Sequence, residues 1–149
     1  MTATLVPPDF EVPGGLRTDQ FVLEPLDVRH NESDYAAWTS SIEHIRQTPG
    51  FPDGDWPEPM PLASNEADLA RHARDFAART GFTYTVLDPA AGDVIGCLYI
   101  YPSGRDGYDA EVSSWVRADK ASLDKPLYEL VTRWLAESWP FRQPDYAAR

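Results

Sequence analysis

A chain of 149 residues is the size of one domain, and its 24 Asp and Glu against 13 Lys and Arg give a formal charge of −11. That balance argues against nucleic acid and anionic membrane surfaces as partners, because both are bound largely through Lys and Arg. With 42% hydrophobic and 12% aromatic residues the chain can build a core despite 14 prolines, which excludes global disorder.

The N-terminal MTATLVPPDFEVPGG lacks the basic start and unbroken apolar run of a signal peptide, and no later segment reaches the length of a membrane span, so the chain reads as cytoplasmic. Pro7, Pro8, Pro13, Gly14 and Gly15 predict that residues 1–20 form an extended arm laid over one domain of residues 21–149. Phe21 to Leu26 alternates as a first strand would. Asn31 or Ser33 would then cap a helix in which Tyr35, Trp38, Ile42 and Ile45 fall at helical spacing, ending before Pro49. Residues 48–63 hold five prolines around Phe51 and Trp56 and read as a long ordered loop.

A second helix is expected from Asn65 to about Thr80, with Leu69, Ala73, Phe76 and Ala77 on one face and Gly81 as its stop. Phe82–Leu87 and Val94–Tyr101 should form an antiparallel hairpin, and a further turn leads into the strand Asp109–Arg117. Leu123, Leu127, Leu130, Val131, Trp134 and Leu135 make the apolar stripe of a last helix, running to about Ser138. Residues 142–147 can add one short strand, parallel to its neighbour if that helix is the crossover. The order β-α-α-β-β-β-α-β implies an α/β mixed sheet with helices on its faces.

Strand, loop and helix N-terminus in succession, as in residues 109–135, form a place where backbone N–H groups and the helix dipole can hold an anion, phosphate first. The loop from Ala118 to Asp124 nevertheless contains no glycine, and Asp124, a candidate helix cap, would compete with phosphate for the same N–H groups. Cys97 is the only cysteine, and its strand position beside Ile95 and Tyr99 reads as a buried small hydrophobe. His30, His44 and His72 have no spacing suited to a shared metal, and Asp53-Gly54-Asp55 lacks the rest of a calcium loop, so no metal is expected.

The strings LRTDQFVLEPL, DVIGCLYIY and AEVSSWV, in this element order, resemble the GNAT superfamily of acyl-CoA-dependent N-acyltransferases over roughly residues 16–139. The resemblance implies the GNAT-like fold, acetyl-CoA as cosubstrate and an amine on a small molecule or protein as acceptor. It also implies a splay between the strand AEVSSWV and the next one, with the pantetheine arm between them. Ser114, Trp115 and Val116 would then meet pantetheine and the thioester, while Arg117, Lys120, Ala121, Ser122 and Lys125 would lie at the pyrophosphate. The chain departs from the family in that loop, which lacks the glycines, and at the C-terminus, which is shorter.

Glu111 stands where some members of the family carry a base acting through water, and burial beside aromatic rings would suit it to that role. The other reading of Glu111 is a surface carboxylate paired across strands. The tyrosine that the family often places as general acid in its C-terminal helix has no matching position here, and Tyr146 would be the residue to reach that area. His44, Arg46, Asp53, Asp55, Trp56 and Glu58 would border the acceptor mouth, joined by Tyr99, Tyr101 and Tyr108 from the strands; carboxylates beside aromatics suit a protonated amine. A homodimer would supply the missing closing strands. The rival reading is a catalytically silent relative that binds a small molecule or a partner protein.

Overall fold

The computed structural model describes residues 4–51, 54 and 56–149. Six strands form one sheet in chain order: β1 (Leu16–Arg17), β2 (Val22–Pro25), β3 (Phe82–Leu87), β4 (Val94–Tyr101), β5 (Ala110–Val116) and β6 (Pro144–Tyr146). Neighbours pair antiparallel as far as β5. β6 then joins β5 in parallel after the crossover helix α4 (Asp124–Ser138), so the sheet is mixed as the sequence pattern implies.

The helices α1 (Asn31–Thr39), α2 (Ile42–Gln47) and α3 (Leu62–Ala78) pack on one face and α4 on the other. Leu127, Val131, Trp134 and Leu135 of α4 bury against Tyr84, Leu98, Ile100 and Val112. Trp38 of α1, Ile45 of α2 and Leu69 of α3 bury against Cys97 and Trp115. Residues from the N-terminal side cross the α4 face, where Val6 is buried and the Tyr84 hydroxyl donates to the Pro13 carbonyl at 2.5 Å. No helix among the described residues is long and apolar enough to cross a membrane.

Several boundaries differ from the sequence pattern for identifiable reasons. The expected single helix over Tyr35 to Ile45 is broken at Ser40 and Ser41, where the Ser40 hydroxyl bonds back to the Ala37 carbonyl and Ser41 leaves the helical region (φ −133°, ψ 17°). Neither Asn31 nor Ser33 caps α1. Asp27 instead caps a short 3-10 turn leading into it, and the Ser33 hydroxyl accepts from the Val94 amide. α3 begins three residues before Asn65, after Pro61. Its left-handed terminal residue is Arg79 (φ 63°), whose guanidinium bonds the Pro7 and Phe10 carbonyls; Gly81 lies under the Tyr101 ring, where a side chain would collide.

A register shift between Val86 and Leu87 leaves Ile95 as an extra residue on β4. Ile95 therefore joins the α4 core while Cys97 joins the α1–α3 core, in place of the shared face that simple alternation gives. Gly96 pairs with Val116 beside this bulge, and a Cβ there would lie 2.5 Å from the Trp115 carbonyl oxygen. Gly96→Ala should cost about 1–3 kcal/mol, because backbone rather than a side chain must give way. A lowered urea midpoint at constant m is the expected result; an unchanged midpoint would mean that the β4–β5 spacing relaxes freely.

Candidate functional site

A cavity of about 210 Å³ opens between α1, α3, the loop before α3 and strands β4 and β5; Asp34, Trp56, Asn65, Asp68, His72, Tyr99 and Ser113 are among its walls. Its polar floor is one network. Asn65, 3% exposed, accepts from Trp38 Nε1 at 3.0 Å and donates to Asn31 Oδ1 at 2.8 Å and Asp34 Oδ2 at 3.0 Å. Burial is the main reason that the Asp34 carboxyl is pushed up to about 6, partly countered by the Asn65 hydrogen bond and reinforced by Asp68.

On the next turns of α3, His72 Nδ1 lies 2.8 Å from the Tyr101 hydroxyl and 3.1 Å from Thr83 Oγ1. Burial, with Arg71 nearby, brings this imidazole down to about 4, so it is neutral at pH 7. The Tyr101 hydroxyl donates to Asp75 Oδ2 at 2.9 Å. The aromatic wall centres on Trp56, whose ring lies 5.6 Å from Trp38, 6.1 Å from Trp115, 6.2 Å from Phe51 and 6.5 Å from Tyr99. Trp115 Nε1 donates to the Tyr99 hydroxyl at 3.0 Å, which fixes that ring in the wall.

Ser113 closes the cavity on one side of β5, and beyond it the sheet opens. β6 pairs with β5 only from Ala110 to Val112, leaving Ser113 to Val116 without a strand on that edge. Since Arg117 N–H bonds Ile95 on β4, alternation turns the backbone of Ser114 and Val116 to the open edge. There Arg149 donates to the Ser114 carbonyl at 2.7 Å while its Nε holds Asp124 Oδ2 at 2.6 Å, its side chain only 4% exposed. The Ser114 hydroxyl lies 2.6 Å from the Tyr146 hydroxyl, which burial pushes up to about 12.

The segment Ala118–Leu123 is a 3-10 turn running into α4, and it spends its own donors. Ala118 N–H bonds Ser41 Oγ at 2.8 Å, Lys120 N–H bonds the Arg117 carbonyl at 2.8 Å, and Asp124 N–H bonds the Ala121 carbonyl. Asp124 is the first residue of α4 in helical conformation and does not cap it, its carboxylate being taken by Arg149. Arg117 is held between Asp93 at 2.9 Å and Asp119 at 2.6 Å. Lys120, partly buried, and Lys125, exposed, form no ion pair among the described residues, and Ala121 and Ser122 are exposed.

The structure brings together only part of the residues proposed from sequence. Trp56 and Tyr99 line the cavity, and Tyr101 stands behind its His72 wall. Asp53 and Asp55 lie outside the described residues. His44 sits on α2 away from the cavity, and Arg46 Nε binds the Pro57 carbonyl at 2.8 Å, tying α2 to the loop. Glu58 is an exposed loop residue outside the cavity wall. Tyr108 packs under Arg105, 4.5 Å from the guanidinium carbon, in the β4–β5 connection. Glu111 is exposed and outside the cavity wall rather than half-buried beside the aromatics. Asp34, Asn65, Asp68 and His72 were not proposed. Asn31, Asp34 and Trp38 recur at helical spacing, as do Asn65, Leu69, His72 and Phe76, so polar residues interrupting a buried stripe were the available signal. Among the described residues no three His, Cys, Asp or Glu side chains are grouped to hold a metal ion.

The mixed sheet, its open β5–β6 edge and the helix that follows define the fold of the GNAT acyltransferases. No family model and no curated protein matches the sequence. Among solved structures the chain is similar to a protein assigned as a ribosomal-protein-serine acetyltransferase from Vibrio cholerae (TM-score 0.61, 14% identity, 87% of this chain and 68% of that one). It is also similar to a ribosomal-protein-S5-alanine acetyltransferase from Vibrio fischeri (TM-score 0.61, 8% identity, 81% of this chain and 66% of that one). A third is the microcin C7 self-immunity acetyltransferase MccE in complex with acetyl-CoA and AMP (TM-score 0.57, 11% identity, 83% and 67%). At these identities the likeness is one of fold.

Asp34 and His72 titrate in opposite senses on folding. For Asp34, raised from 3.8 to about 6, the native state binds the extra proton between those values, so this group's contribution to stability grows as pH falls through about 6. For His72, lowered from 6.5 to about 4, the unfolded chain takes the proton first, and stability is lost as pH falls through the same window. The two slopes oppose one another in the natural chain. Asp34→Asn should therefore lose stability more steeply than the natural chain on acidification, and His72→Gln should gain. Urea midpoints from about pH 4 to about pH 7 read both slopes, and parallel profiles for the two variants would contradict this assignment.

Proposed function

We propose that the protein is an N-acetyltransferase that moves the acetyl group of acetyl-CoA to an amine seated in the cavity. The observation that carries this reading is the place of β5 between two spaces. Ser113 walls the cavity, and the next residue turns its carbonyl to the open β5–β6 edge, so an amine on one side and a thioester on the other would meet at a single strand. The fold shared with acetyltransferases, one of them bound to acetyl-CoA, supports the reading.

The thioester would supply an activated carbonyl carbon and a sulfur leaving group. For transfer the bound ammonium must first lose one proton; its nitrogen then bonds the acetyl carbon as the carbon–sulfur bond breaks. Tyr146, protonated at pH 7 because burial raises it to about 12, would give its proton to the departing thiolate and recover the second proton released by the nitrogen. Ser114, within hydrogen-bond distance of Tyr146, would orient that hydroxyl.

The residues fit the pantetheine arm better than the pyrophosphate. The strand edge at Ser114 and Val116 is available once Arg149 leaves the Ser114 carbonyl, whereas at the 3-10 turn the amides of Ala118, Lys120 and Asp124 are engaged, and Lys120 and Lys125 are the cations there without an ion pair among the described residues. Those engaged amides and the Asp124–Arg149 pair favour a second reading, a GNAT-fold protein that binds its ligand in the cavity without transferring an acetyl group.

Calorimetric titration with acetyl-CoA separates the two. Under the transferase reading the natural chain binds saturably, Lys120→Ala combined with Lys125→Ala weakens binding about tenfold, and Arg149→Ala combined with Asp124→Asn tightens it. If none of the three proteins binds acetyl-CoA, the transferase reading fails and the second one stands.

A further inference from the structure

Asp34 is 4% exposed, and Asn65 serves only its Oδ2; Oδ1 has no hydrogen-bond partner among the described residues. Asp68 stands in the same wall, and its nearest cation, Arg71, is 3.8 Å away on a half-exposed surface. No Lys or Arg lines the cavity among the described residues. A buried carboxylate without a counterion is expensive to maintain, and the structure is relieved of that cost when a cation enters. The walls beside it are Phe51, Trp56 and Tyr99, whose ring faces attract organic cations and repel anions.

We infer that the cavity is the binding site of a small organic ammonium, its charged nitrogen on Asp34 Oδ1 and its apolar body against Trp56, Tyr99 and Phe51. As a statement about the acetyl acceptor this rests on the transferase reading; as a binding site it is tested without acetyl-CoA. At about 210 Å³ the cavity is smaller than the 300–1,000 Å³ of pockets that take drug-sized ligands, which favours a compact monoamine over an aminoglycoside. In transfer, Asp34 would take the ammonium proton, leaving the nitrogen lone pair free to bond the acetyl carbon, and then release that proton to water.

The titratable groups facing Asp34 among the described residues are Asp68 and His72 from α3 and Cys97 and Tyr99 from β4. His72 is neutral at pH 7, and burial raises the Cys97 thiol and Tyr99 hydroxyl, so neither ionises there. The local charge at pH 7 is therefore negative, and it is lost at Asp34 as pH falls through about 6. The amine remains protonated throughout, so its affinity must fall with the pH while that of a neutral analogue does not.

The test is calorimetry with benzylamine and isoamylamine, each against the corresponding alcohol, with Trp fluorescence as a second readout. At pH 7 the amines should bind at least about tenfold tighter than the alcohols, and that preference should shrink with a midpoint near pH 6. Asp34→Asn should erase the preference while unfolding remains cooperative; if that variant does not fold, the pH profile of the natural chain decides. Equal binding of amine and alcohol, no binding of any amine, or a preference that survives in Asp34→Asn would overturn the inference. Failure here leaves the acetyl-CoA titration standing, and failure there leaves this site standing.

Discussion

The cavity depends on Asn65 occupying a position on the buried stripe of α3 that an apolar residue would ordinarily hold. Its amide carries hydrogen-bond capacity on both ends and uses it inward, taking the Trp38 indole proton on Oδ1 and giving both Nδ2 protons to Asn31 and Asp34. An apolar residue of similar size would leave three buried partners unsatisfied, each at about 1–3 kcal/mol. The helices α1 and α3 are thus joined through polar atoms at this level, and Trp38 is oriented so that its ring meets Trp56. That ring contact joins the bonds from Arg46 to the Pro57 carbonyl and from Tyr35 to the Met60 carbonyl in holding the loop that carries Trp56, and with it the aromatic wall of the cavity.

From the sheet side the corresponding constraint is the bulge at Ile95. A strand that alternated without interruption would place Ile95, Cys97 and Tyr99 on one face. The extra residue gives Ile95 to the α4 core and leaves Cys97 and Tyr99 facing α1 and α3. Tyr99 is then within reach of the Trp115 indole across the β4–β5 pair, and the two rings complete the box around Trp56. Gly96, beside the bulge, allows the Trp115 carbonyl to approach at the point where the sheet bends.

The strands β3, β4 and β5 and the crossover helix were legible from periodicity, because each buries a pattern the sequence must carry, whereas the last strand was legible from the crossover that makes it parallel, its three residues being only partly buried. The split between α1 and α2 was not, since Tyr35, Trp38, Ile42 and Ile45 keep helical spacing through it; the break is made by serine hydroxyls bonding locally and to Ala118. The cavity was half legible. Trp56 and Tyr99 stand out as aromatics in a loop and a strand, but Asp34 and His72 acquire their character from burial, and burial of a polar side chain depends on what a distant helix brings to it. Glu111, by contrast, shares the strand face of Ser113 and Trp115 and yet is exposed, since it lies at the far end of that face from Trp115, outside the cavity and the α1–α3 core.

At the other side of β5 the sequence and the structure meet on one competition. A glycine-free loop can engage amides as a 3-10 turn, and here those of Lys120 and Asp124 bond within the segment while that of Ala118 goes to Ser41; an anion at these amides must exchange neutral bonds for charge-assisted ones, which are roughly twice as strong. The obstacle is Asp124, which would place a negative charge at the same helix end. Arg149 removes that obstacle while it creates another, masking Asp124 through Nε and covering the Ser114 carbonyl through a terminal nitrogen. The Nη2 on the Ser114 carbonyl also reaches Asp124 Oδ1, at 3.5 Å, but the short bond to Asp124 is the one from Nε at 2.6 Å, in a planar group with five donors. A rotation that surrenders the Ser114 carbonyl and keeps Asp124 would expose the strand edge without exposing the carboxylate. Under the proposed transferase reading, that rotation is what an acyl thioester and its anionic tail would require at a helix end where Asp124 alone would repel them.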